Sequence, residues 1–335
     1  MSTALLTLLL SAFVGVLALL AQVGRKSRGA EVTLIVVLLV VSVLITVIVT
    51  LAGLGLVLRT ANGGTLGLDR FTVLAAGGAL LLVGIAGVCL CVPPLRKVMG
   101  WRVGRAFWTD PPTFLALWLI VVVLANNLVS FLLFVQEPDV SGLFPAGRVS
   151  PGTVVTGQLP FLAVALLGVG AGASRTLRET VGRLGYAAIS LKQLGIVALF
   201  VAGALALSVV ADGLFASLQP DLYREVGEIS DNLFNPRGLS PVSAALFSLL
   251  VGLGAGLGEE TLFRGAIQPV FGITATSVLF TSMHVQYGPS LLLIYVFLLS
   301  VGLGLLRRYV NTTASFLAHA GYNSLGIILT YFFGV

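Results

Sequence analysis

Long apolar blocks broken by short polar ones dominate this chain. A helix needs about 20 consecutive apolar residues to cross a bilayer. Stretches of roughly that length, bounded by charge or turn residues, occur ten times, at about 4–23, 33–57, 71–92, 113–135, 159–174, 194–211, 241–268, 271–287, 289–306 and 313–333. The pattern predicts an all-α, polytopic integral membrane protein of about ten transmembrane helices. The Pro- and Gly-rich residues 136–158 separate four N-terminal spans from six later ones, which divides the chain into a membrane region at 1–158 and a second region at 159–335. Residues 212–240 form a long acidic loop, and DLYREVGEISDNLF within it reads as a short helix lying on the outer surface.

Composition agrees with this reading. Of 335 residues, 57% are hydrophobic and 10% charged, against about 25% charged in a soluble domain. No basic patch with interleaved aromatics accompanies the net charge of +6, so no nucleic-acid partner is expected. If the spans alternate from an outside N-terminus, one face collects 14 of the 19 basic residues, mainly at 25–28, 96–105, 175–192 and 307–308. The other keeps Arg59, Arg70, Arg148, Arg224 and Arg237 beside Glu137, Asp139, Asp212, Asp221, Glu225, Glu228 and Asp231. The positive-inside rule makes the first face cytoplasmic. The expected location is a prokaryotic plasma membrane, and the first span is an anchor, because its basic residues follow it. Cys89 and Cys91 sit in an apolar run and read as packing residues. Asn126 and Asn127 read as helix-to-helix contacts, and the glycine run 252, 254, 256, 258 as a surface for close helix packing.

Ionisable residues inside spans are costly and mark candidate functional sites. Glu259, Glu260, Arg264, His284 and His319 stand out, and the chain holds only two histidines. On a helix Glu260 and Arg264 lie i, i+4, about 40° apart, and can pair. Glu259, rotated about 140° from Arg264, is left for another task. Glu259 and His284 lie about 12 to 13 residues either side of a turn at Phe271 and Gly272, so an antiparallel hairpin brings them to one depth. His319 and Asn323 share a helix face at i, i+4. A glutamate, two histidines and an asparagine can therefore surround one point within the bilayer.

Glu259, Glu260 and Arg264 fit EExxxR; Phe280 and His284 fit FxxxH; His319 and Asn323 fit HxxxN. In this order, near the C-terminus of a polytopic chain, these motifs resemble the CPBP family of intramembrane proteases, which includes CAAX prenyl endopeptidases and bacteriocin-immunity (Abi) proteins. The resemblance covers about residues 240–335. It implies an intramembrane endopeptidase in which Glu259 is the base, His284 positions water, and His319 and Asn323 bind the oxyanion, with Glu260, Arg264 and Phe280 in support. Peptide hydrolysis requires such a base and such donors. The implied partners are membrane lipid and a peptide or membrane-protein substrate, lipidated ones included, and no cofactor is implied. A zinc enzyme using Glu259, His284 and His319 as ligands is the alternative. Outside enzymes, a proton-coupled transporter and a non-catalytic immunity protein stay open.

The charge partition makes a prediction of its own. A reporter fused after Arg183 is expected to register as cytoplasmic and one beside Glu225 as extracytoplasmic; the same side for both would overturn the ten-span topology.

Overall fold

The computed structural model describes residues 3–61, 69–92, 94–95, 109–136 and 147–333, and every regular element among them is a helix. Arg96, Lys97, Arg102, Arg105, Glu137 and Asp139 lie outside the described residues. The helices are α1 (Thr3–Gly24), α2 (Arg28–Ala61), α3 (Arg70–Cys91), α4 (Pro111–Gln136), α5 (Pro151–Gly168), α6 (Leu177–Arg183), α7 (Leu191–Leu218), α8 (Pro220–Phe234), α9 (Pro241–Glu260), a π-helix (Thr261–Ile267), α10 (Gln268–Ser282), a 3₁₀ turn (Val285–Tyr287), α11 (Leu292–Tyr309) and α12 (Thr312–Phe333). Eight helical stretches among the described residues are long and apolar enough to cross a membrane. Two features account for the difference from ten. Pro241–Ser282 runs as one helical stretch across two predicted spans, although Gly272, at φ 80°, reverses the chain inside it. The last helix, α12, carries too many polar side chains to be among the eight.

Start signals in the sequence set the helix boundaries. Ser150 and Ser240 each cap the helix that follows and precede a proline at the first helical position, where a missing N–H costs nothing. Thr176 with Glu179 and Ser190 with Gln193 form capping boxes at α6 and α7. The Thr176 backbone N–H and hydroxyl both donate to Glu179 and hold its carboxyl below the usual range.

Two compact units emerge from the contacts: Leu17–Pro138, and Met1–Val16 with Asp139–Val335. In the first, α3 packs between α2 and α4. Trp118 Nε1 donates to the buried Ser42 Oγ at 2.9 Å, and Gly87 leaves the room, since a Cβ there would lie 2.1 Å from that oxygen. Arg25 grips both oxygens of Asp110, at 2.7 and 3.0 Å. Neither Cys89 nor Cys91 is in a disulfide, and the Asn126 amide donates to the Asn127 side-chain oxygen at 3.4 Å.

In the second unit α9 is central, against α12 on one side and α5 on the other. The helix α5 begins at Pro151, within the stretch expected to be a linker. The glycine run explains how three helices come so close. A Cβ on Gly252 would sit 2.5 Å from the Ala320 carbonyl oxygen and one on Gly256 3.2 Å from the Ala320 backbone, while Gly254 and Gly258 face Val154 and Gln158 of α5. The amphipathic α8 buries Val226, Ile229 and Leu233 and exposes Asp221, Arg224, Glu228 and Asp231.

Gly252→Ala is expected to lower stability by about 1 to 3 kcal/mol, because beyond the Ser324 hydroxyl the Ala320 carbonyl oxygen is backbone and cannot rotate away. Thermal unfolding in detergent checks this against Gly203→Ala, where nothing lies within 4 Å. Equal stability of the two variants would refute the close-packing account.

Candidate active site

The α9 helix does not end at Glu260 but widens into the π-helix, which carries Arg264 into the interior. Such π segments are rare and recur at functional sites. Glu260 and Arg264 are both fully buried. Arg264 Nε lies 3.2 Å from Glu260 Oε2, close enough for charge pairing though off the line of a hydrogen bond. The guanidinium's directed bond runs from Nη2 to Ser300 Oγ on α11 at 3.0 Å. Its plane also meets the Phe280 ring, 5.0 Å from the centroid. Burying a charge pair costs several kcal/mol in desolvation, which only close pairing and further hydrogen bonds offset. Glu260 obtains those bonds from α12: Ser315 Oγ donates to Oε2, and His319 Nδ1 stands 3.0 Å from Oε1.

Phe280 lies at the centre of the aromatic contacts. Its ring packs against Phe263 at 5.1 Å, His284 at 4.9 Å and His319 at 5.9 Å. Residues 263 and 264 thus face residue 280 across the reversal at Gly272, as the hairpin expectation requires. His284 corrects a detail. It was expected inside a span but lies just past the end of α10, at φ −93°, ψ 52°. There its Nδ1 stands 2.9 Å from the Phe280 carbonyl oxygen, one of the acceptors left over where a helix ends. That oxygen can only accept, so Nδ1 carries the proton and the other ring nitrogen remains for other partners. Tyr287 stacks on the imidazole with ring planes 17° apart.

Glu259, His284, His319 and Asn323 all line one cavity of about 980 Å³. Glu259 has no hydrogen-bond or ion-pair partner among the described residues. The cavity walls also present Gln158, Tyr287, Tyr295 and Tyr322. Ser315, Ser300, Gln158 and the tyrosines were missed by the sequence reading. Only Ser315 left a trace there, one helical turn before His319 on the same face of α12.

A zinc site needs three such donors around one point. Among the described residues no three His, Cys, Asp or Glu side chains are grouped to hold an ion, while the bonds from one ring nitrogen of each histidine, to Glu260 and to the Phe280 carbonyl, leave the other nitrogen open.

Arg264→Ala is expected to cost about 3 to 5 kcal/mol by stranding buried carboxylates. Glu260→Gln in the same chain should recover part of the loss, as measured by yield and unfolding in detergent. A fully stable Arg264→Ala protein would show that the guanidinium does not serve as the counter-charge.

Comparison with known proteins gives one family. Residues 241–325 match the family model described as type II CAAX prenyl endopeptidase, Rce1-like. The matched segment, roughly a quarter of the chain, holds Glu259, Glu260, Arg264, Phe280, His284, His319 and Asn323. Neither the curated proteins nor the solved structures give a match. The match over 241–325 assigns this C-terminal region to the CPBP/CAAX protease family, whose family-level activity is that of a membrane-embedded endopeptidase.

Proposed function

We propose that this protein is an intramembrane glutamic endopeptidase with Glu259 as general base. One observation carries the reading: of two adjacent carboxylates, Glu260 is fully engaged by Arg264, Ser315 and His319, while Glu259 faces the cavity without a partner, beside His284, His319 and Asn323. A base needs a free lone pair within reach of water, and the place of Glu259 on the cavity wall supports that role.

The hydrogen-bond roles follow from the donor inventory. Because His284 Nδ1 carries a proton, the neutral ring offers Nε2 as an acceptor, which can hold the attacking water and aim its lone pair. Glu260 already receives the Ser315 hydroxyl and faces Arg264, so it acts as a carboxylate and accepts from His319 Nδ1–H as well. His319 can then donate into the cavity from Nε2 only as an imidazolium, a charge the carboxylate behind it stabilises. Water loses a proton to Glu259 as its oxygen bonds the scissile carbonyl carbon. The resulting oxyanion accepts from the Asn323 amide and from His319. When the C–N bond breaks, the proton held by Glu259 passes to the departing amine, and the carboxylate is regenerated. Membrane lipid surrounds the site, and a peptide or membrane-protein segment is the substrate; lipidation of that segment is not required by this chemistry.

Purified enzyme in proteoliposomes tests the assignment. Glu259→Gln is expected to abolish cleavage, since the amide keeps the shape but takes no proton at neutral pH. Asn323→Ala should lower the rate about 10² to 10³-fold, the usual effect of losing one oxyanion donor. Activity should survive strong chelators. Reversible inactivation by chelation, restored by Zn²⁺ with one ion bound per chain, would overturn the glutamate mechanism and make Glu259, His284 and His319 ligands. Undiminished cleavage by Glu259→Gln would remove the base.

A further inference from the structure

The two ends of the second unit differ in charge and in closure. At one end α6, the π-helix and the α11–α12 turn are bound together: Thr312 Oγ1 donates to the Leu184 carbonyl at 2.6 Å, Arg183 Nη1 to Gly265 at 3.2 Å and Arg307 Nε to Arg264 at 3.1 Å. Leu184, Phe263, Arg264 and Thr312 are all buried there, which makes this end a floor. It carries Arg175, Arg178, Arg183, Lys192, Arg307 and Arg308 against the single acid Glu179. At the other end the start of α5 meets the end of α8, through Arg148 donating to the Asn235 and Arg237 carbonyls at 2.8 and 2.7 Å. Leu291 N there donates to Gln219 Oε1 at 2.9 Å, so the start of α11 lies at the same end. This end holds Arg148, Arg224 and Arg237 against Asp212, Asp221, Glu225, Glu228 and Asp231.

The cavity belongs entirely to the second of these ends. Its lining includes Asp212, Tyr223, Asp231 and Arg237 around α8, together with Thr330 and Phe333 at the far end of α12. No lining residue comes from α6 or from the α11–α12 turn. Glu259 lies 18 residues into α9, about 27 Å along the helix from its start at this end. The hollow is therefore a shaft that descends from the acidic end to the carboxylate and stops on the basic floor.

We propose that this shaft opens on the extracytoplasmic side of the membrane, so that the substrate is an exported or membrane-anchored polypeptide whose cleaved segment lies outside the cytoplasm, and not a lipidated tail presented from the cytosol. The side follows from the charge asymmetry of this unit, since short loops rich in Lys and Arg are held in the cytoplasm. The substrate class rests on the protease reading given above. The facing of the shaft does not.

Single cysteines read the facing directly. In the full chain with Cys89 and Cys91 replaced by Ala, Ala255→Cys and Val154→Cys sit on the shaft wall, Asp231→Cys at its mouth and Lys192→Cys at the basic end. A membrane-impermeant maleimide added to intact cells is expected to label both wall cysteines and the mouth cysteine, and to label Lys192→Cys only after lysis. Wall cysteines that react only after lysis, or only in inverted vesicles, would overturn the proposal. So would a mouth cysteine that reacts from outside while both wall cysteines stay unlabelled there, because the shaft would then be closed to that side. Labelling does not depend on turnover, so correct facing in a protein that cleaves nothing would defeat the protease reading alone.

Discussion

The buried carboxylate of Glu260 is the constraint on which the rest of the site depends. It ties α9 to α12 through Ser315 and His319, and it sits beside Arg264, which the π-helix turns inward and Ser300 anchors to α11. Removing the charge from any one of these groups leaves its partners in an apolar interior, where an unpaired ion is expensive. The pair is not retained for stability alone, because well-packed apolar residues often do as well in such positions. Its distinct effect is geometric. It sets the direction of the His319 ring, and it engages the arginine that stands beside the two carboxylates. Glu259 is thereby left to face the cavity.

That division of labour between neighbouring glutamates was legible in the sequence, because it follows from helical spacing. On α-helical spacing residues 260 and 264 share a face and 259 does not. The hairpin was legible for a similar reason: Gly272 is the kind of residue that adopts a positive φ, and counting outward from it puts residue 263 or 264 opposite 280. The glycine run was read correctly as a packing surface, since small residues every second and fourth position leave room for helices on two sides. Other features depended on contacts between distant segments and left no local mark. Ser300, Gln158 and Tyr322 are ordinary residues in apolar runs, and only the packed bundle shows that they face Arg264 or the cavity. The end of α10 before His284 was equally hidden, because a histidine that caps a helix through its own side chain has the same spacing as one within it.

The apolar-stretch count failed where the chemistry is densest. Thr312, Thr313, Ser315, His319, Tyr322, Asn323 and Ser324 keep α12 out of the eight apolar stretches, yet it packs against α7, α9 and α11. A helix surrounded by others need not present an apolar face to lipid on every side. Its polar face is satisfied by α9 at one level, where Ser315 and His319 meet Glu260, and opens into the cavity one turn further on, where Asn323 lies. The polar stripe of α12 is therefore what brings His319 and Asn323 to the cavity that Glu259 lines.

The same depth explains why the floor must be closed. A carboxylate acting on water within the bilayer needs a supply of water from one side only, since a passage open at both ends would conduct ions and protons across the membrane. Gly265 packs so closely on Leu184 that a Cβ there would lie 2.9 Å from its side chain, and Arg307 and Arg183 bond the carbonyls on either side of that contact. The π-helix thus serves two ends at once. Its inner face supplies the arginine that sorts the glutamates, and its outer face closes the basic end of the shaft. The shaft is then lined, beyond the glutamates, by residues of the acidic end around α8.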